Sequence, residues 1–147
     1  MKTLLTTLLL LIALTAPAQI DWKTLSIRSG LLFTSGFCDG TSEVLKVKYD
    51  RFDKVMHFND QFWDYNKSWT NKYSTYPKER FPMSTTALVW ATDGYHMMRM
   101  IRNCTMITAI VIPIGKHKNW KQYAAEGLIY YCSYTAGFNM AYDVIYK

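Results

Sequence analysis

Asp39 and Glu43 stand four residues apart, and Asp93 and His96 three apart, in stretches otherwise built from Leu, Phe, Met, Thr, Gly and Ala. On a helix each pair projects from one face and places ionisable groups where desolvation is costly. Three carboxylates and an imidazole form a donor set suited to Zn²⁺, Mn²⁺ or non-haem Fe²⁺. The candidate divalent-metal ligands are Asp39, Asp93 and His96, with His57 as a second imidazole and Glu79 as a more remote carboxylate. At such a site a metal-bound water would attack an ester, amide or phosphoryl centre, Glu43 would move the proton and Arg99 would orient an anionic group. The alternative is an ion network in which Arg99 or Arg102 compensates the acids. A shared pocket requires the first two mature helices to run antiparallel, so that all four residues converge near one end.

Recognised catalytic motifs are scarce. The chain has no phosphate-binding glycine loop with its lysine, no paired-histidine zinc motif and no nucleophile elbow, so Ser42 and Ser84 have weak claims as nucleophiles. Cys38, Cys104 and Cys132 are an odd set, each in an apolar segment, and read as buried small side chains rather than a disulfide framework. The formal charge of +6 is carried by scattered Lys and Arg with no dense basic stripe, which argues against nucleic-acid binding.

The elements that must position these groups can be read from the apolar pattern. Lys2, the uncharged run from Thr3 to Ala16 and the small-residue exit Ala16-Pro17-Ala18 predict a secretory signal over 1–18, cleaved after Ala18. The alternative is an uncleaved N-terminal anchor. Residues 19–147 then make one helical domain. Its first apolar segment runs from about Trp22 to Val47, where Arg28 could snorkel to an interface and Gly30, Gly36 and Gly40 permit close helix packing. The second runs from about Ser84 to Ile112, with Ser84 or Thr85 as its cap and Pro113 near its stop. The third runs from about Trp120 to Tyr146, with no formal charge between Glu126 and Asp143 and with Tyr side chains at its flanks. His117, between Lys116 and Lys118, reads as a solvated loop residue.

The connection from Lys48 to Met83 carries Tyr49, Phe52, Phe58, Phe62, Trp63, Tyr65 and Trp69, a density that a disordered tether would waste. It reads as an ordered cap over the helices or as a lid in which Trp63 and Trp69 contact a substrate or partner. The predicted fold is all-α: a small, membrane-embedded helical bundle with this long aromatic connection between the first two mature helices. A soluble exported helical domain is the competing architecture, favoured by Arg99 and Arg102 inside the second segment.

The stretches SGFCDGTSEVLKVKYDRF, NDQFWDYNKSWTNKY, FPMSTTALVWATDGYH and IYYCSYTAGF resemble an uncharacterised group of small bacterial and phage-associated proteins with apolar helices. The resemblance covers most of the mature chain and implies organisation without an established activity. The group commonly has glycine where this chain has Met83.

Three functions follow as expectations. The first is a structural or accessory membrane protein of the bacterial envelope, at the inner membrane or in the periplasm, touching lipid and either a second copy or a membrane-protein partner. The second is a membrane-associated, metal-dependent hydrolase or transferase acting on an amphipathic substrate. The third is an exported binding module that uses the aromatic connection.

Overall fold

The computed structural model describes residues 21–112 and 120–147. The signal read over 1–18 and the loop reading of His117 lie outside the described residues.

Helix α1 (Trp22–Val47) starts where the Asp21 carboxylate accepts the Thr24 backbone N–H, a side-chain cap for an otherwise unpaired donor. The chain then turns through α2 (Tyr49–Met56), α3 (Asp60–Trp63) and α4 (Tyr65–Ser68). A 3₁₀ turn, Trp69–Lys72, leads into a small antiparallel hairpin of β1 (Tyr73–Thr75) and β2 (Lys78–Glu79). A second 3₁₀ turn, Val89–Ala91, precedes α5 (Gly94–Val111). The last helix, α6 (Trp120–Asn139), continues as a π-helical turn over Met140–Ile145. The chain is mostly helical, as expected, and the hairpin is the only sheet among the described residues.

Helices α1 and α6 run parallel. Gly36 faces the Tyr134 carbonyl, Gly40 the Phe138 carbonyl and Gly137 the Phe33 carbonyl, so backbone meets backbone along a shared stripe. Helix α5 runs antiparallel to α1: Arg28 reaches the carbonyls of Ile110 and Ile112, and Ser35 Oγ donates to the Arg102 carbonyl. The most buried apolar cluster, Val44, Leu45, Phe52, Ala141 and Tyr146, lies where the C-terminal ends of α1 and α6 meet the cap. Trp63 packs on Phe52 and lies so close to Gly94 that a Cβ there would sit 2.3 Å from the indole.

Four expectations are corrected here. Among the described residues no helix is long and apolar enough to cross a membrane: α1 and α5 carry charged residues within them, and α6 is interrupted by Tyr, Ser, Thr and Gly. The second long helix begins at Gly94 rather than near Ser84, since Ser84 Oγ donates to the Lys72 carbonyl and Thr85 Oγ1 to the Glu79 carboxylate, which fixes that stretch as turns. Arg28 does not snorkel: it is 6 % exposed and closes the otherwise open carbonyl end of α5. Cys104 is exposed, unlike buried Cys38. Met83 has φ 65°, the left-handed region in which glycine has no Cβ penalty and a side chain does.

Candidate functional site

Asp93 and His96 are three apart because one caps the helix that carries the other. Asp93 is the N-cap of α5, and its Oδ1 accepts the His96 backbone N–H at 2.8 Å. The same carboxylate lies 2.8 Å from His96 Nδ1, accepts the Thr92 hydroxyl at 3.2 Å and faces Lys72 Nζ at 3.8 Å. Burial pushes the Asp93 carboxyl up, but the His96 side-chain and backbone hydrogen bonds, with the charges of His96 and Lys72, outweigh it and hold the group below its ordinary value. A carboxylate on Nδ1 fixes the imidazole so that Nε2 is the free nitrogen, the arrangement of an oriented general base.

The cap delivers Lys72 to this dyad. Asn71 Nδ2 donates to the carbonyls of Gln61 and Thr92, joining the turn after α4 to the start of α5. Tyr65, Trp69, Lys72, Asp93 and His96 line a hollow of about 290 Å³. His96 also walls a neighbouring hollow of about 310 Å³ formed with Val89, Trp90, Arg99 and Met100.

Asp39 lies elsewhere, midway along the bundle. Its Oδ1 accepts from Arg102 Nη1 at 2.6 Å and its Oδ2 from the Tyr134 hydroxyl at 2.5 Å, which ties α1, α5 and α6 together. Glu43 is half-buried one turn further on. Arg99 donates to the Tyr95 hydroxyl at 2.5 Å, and this bond, with the fields of Tyr95, Asp39 and Glu43, holds its guanidinium above its ordinary value.

The structure therefore brings Asp93 to His96 and Asp39 to Arg102, but gives the two acids separate partners. Among the described residues no three His, Cys, Asp or Glu side chains gather as a metal cluster. The physical reason is that Asp39 is engaged by a cation and a phenol, and Asp93 by a helix N–H and an imidazole. His57 is exposed at the left-handed C-cap of α2, and Glu79 binds the backbone and hydroxyl of its own turn. The two tryptophans separate: Trp63 stacks on Phe52 and meets Phe58 tilted and Phe62 edge-on, whereas Trp69 is 49 % exposed at the polar hollow.

Sequence reasoning missed Lys72 and Tyr134. Lys72 is twenty-one positions from Asp93 with no periodicity linking them, and Tyr134 reads as one more aromatic group in an apolar helix. Comparison with protein-family models, curated proteins and solved structures returned no match, so the site's own chemistry carries the reading.

The Tyr134 phenol gives a pH signature. Burial, then the hydrogen bond and charge of Asp39, push it up to about 12 from an ordinary value of 10.0. Tyr49 is raised in the same direction by burial and Asp60. The folded state holds these protons more tightly than the unfolded chain, so their stabilisation is complete below pH 10 and is lost as pH rises towards 12. Urea denaturation at pH 8, 10 and 11 should show stability falling across the last interval. Tyr134→Phe should lower stability at pH 8 and flatten that fall; an unchanged slope would remove Tyr134 as its source.

Proposed function

We propose that the protein is a small accessory protein of the bacterial cell envelope that rests one end of its bundle on an anionic membrane surface. The observation that carries this reading is the apolar end formed by the start of α1, the end of α5 and the start of α6. Trp22 is 68 % exposed there, Ile110 69 %, Val111 72 % and Trp120 74 %. Tryptophan favours the bilayer interface, where its ring is apolar and its N–H stays wet, and isoleucine and valine favour the layer beneath. The sequence adds Lys23 and Lys121 beside these residues and Lys116 and Lys118 in the adjoining connection. A lysine near an anionic surface contributes about 1 kcal/mol.

This reading replaces bilayer-crossing helices with contact by one end, which suits helices that carry Arg28, Asp39, Glu43, Arg99 and Arg102 within them. A metal-dependent hydrolase has less support, because the acids proposed as ligands already have partners of other kinds.

The chain from Gln19 should co-sediment with vesicles containing phosphatidylserine or phosphatidylglycerol, and about tenfold less with neutral phosphatidylcholine for each 1.4 kcal/mol of lysine attraction lost. Brominated acyl chains should quench its tryptophan emission, and Trp120→Phe with Ile110→Asp should remove most of that quenching. Concentration-dependent association without lipid, and no quenching, would assign this end to a second copy of the chain instead.

A further inference from the structure

His96 divides two hollows of different character. On one side lie Lys72, the Asp93 carboxylate and the neutral donors of Asn66 and Ser68, with the Trp69 ring beside them. On the other lie Val89, Trp90 and Met100, with Arg99 among them. The imidazole therefore borders a polar chamber and a largely apolar one.

Three groups here retain hydrogen-bonding capacity. His96 Nδ1–H is fixed on the Asp93 carboxylate, which leaves Nε2 as an acceptor, and Nε2 has no hydrogen-bond partner among the described residues. Lys72 Nζ stands 3.8 Å from Asp93, beyond the length of a charge-assisted hydrogen bond, so its N–H groups are not consumed by that acid. Arg99 uses Nη1 on the Tyr95 hydroxyl and keeps the rest of its guanidinium fork. Asp39 is paired with Arg102, and neither Asp39 nor Glu43 lines either hollow, whereas the Asp93 carboxylate lines the polar one and faces Lys72 at 3.8 Å.

We propose that the two hollows form one binding site for an amphiphile with a phosphoryl head group, held at Lys72, His96 and Arg99 while its apolar chain lies along Trp90 and Met100. Lys72 and Arg99 line different hollows that share His96 as a wall. A singly protonated phosphoryl group accepts from Lys72 and Arg99 through its oxygens and donates its P–O–H to Nε2, whereas an ionised carboxylate has no proton to give. Trp90 and Met100 supply the flat and adaptable apolar surfaces that an alkyl chain packs against. This site includes the start of α5, under the cap, at the opposite end of that helix from Ile110 and Val111, so it does not depend on the membrane-facing reading.

The test is calorimetry on the full chain with dodecyl phosphate below its micelle concentration, inorganic phosphate, dodecanoate and dodecyl maltoside. Dodecyl phosphate should bind with a stoichiometry of about one, more tightly than the other three. A hydrogen bond to a charged group contributes about 1.5–3 kcal/mol, so Lys72→Met and His96→Phe should each weaken dodecyl phosphate about tenfold or more. Trp90→Ala should weaken dodecyl phosphate while leaving inorganic phosphate unchanged, and Ile110→Asp should leave both unchanged. In the unsubstituted protein, where folding is not in question, dodecyl phosphate should shift the ¹⁵N resonance of His96 Nε2. Equal binding of dodecyl maltoside overturns the anionic head, equal binding of dodecanoate overturns the phosphoryl group, and equal binding of inorganic phosphate overturns the apolar chain. An unmoved His96 resonance at saturating dodecyl phosphate overturns the site itself.

Discussion

Gly36→Ala and Gly137→Ala will each destabilise the protein by about 3 kcal/mol, at the upper end of the usual cost of overpacking. A Cβ at Gly36 would stand 2.0 Å from the Tyr134 carbonyl oxygen, and one at Gly137 would stand 2.0 Å from that of Phe33. The obstructing atoms belong to the facing helix backbone, so no rotamer change relieves the clash and α1 and α6 must separate along their length. Separation also pulls Tyr134 away from Asp39 and thins the packing around Gly40, whose own Cβ would meet the Phe138 carbonyl at 2.6 Å. Gly30→Ala and Gly127→Ala are the internal controls, because nothing lies within 4 Å of a Cβ at either position. Both are helical, and alanine there should stabilise by up to about 1 kcal/mol through lower backbone entropy in the unfolded chain. Chemical denaturation of the four variants should therefore divide them into two destabilised and two neutral or stabilised proteins. Four equal losses would show that α1 and α6 do not meet along this stripe.

The extent of α1 and α6 and the stop of α5 were legible because apolar mass and helix stops are local properties. Trp22–Val47 matches the first predicted segment, and the α6 segment continues through its π turn almost to the predicted end. The start of α5 was misplaced for an instructive reason. Spacing of three is shared by two residues on one helical face and by an N-cap with the residue it caps, so Asp93 and His96 suggested a helix already under way when they mark its beginning. Ser84 and Thr85 have capping chemistry too, but their hydroxyls bond to Lys72 and Glu79 across the cap, which is a tertiary choice that no window of sequence displays. The pairing of Asp93 with His96 and of an acid with Arg102 was foreseeable, but the choice of Asp39 among the acids and the part of Tyr134 were not. Asp39 lies sixty-three positions from Arg102 and ninety-five from Tyr134, and only the antiparallel and parallel packing around α1 brings the three together.

That triad is the second place where a small change should have a large effect. Arg102→Met removes the cation from Asp39, whose side chain is 19 % exposed, and leaves a half-buried carboxylate with the Tyr134 hydroxyl alone. Breaking a fully buried pair costs about 3–5 kcal/mol, and the residual exposure here reduces the expected loss to about 2–3 kcal/mol. Asp39→Leu should cost a similar amount, because it strands both the guanidinium and the phenol. The triple variant Asp39→Leu, Arg102→Met and Tyr134→Phe removes every polar member at once, and it should recover most of the stability that either single change loses, since an apolar set of similar volume no longer carries desolvation. Such recovery, measured against the three single variants by urea denaturation, would give a favourable coupling among the substitutions of at least about 1 kcal/mol. Additive losses would instead mean that Asp39, Arg102 and Tyr134 act separately, and that the register of the three helices is set by the glycine stripe without them. If the triple variant is stable and monomeric but its α5 has slipped against α1, seen as loss of the Ser35 to Arg102 hydrogen bond in hydroxyl and amide exchange, then the ion triad fixes register rather than adding stability.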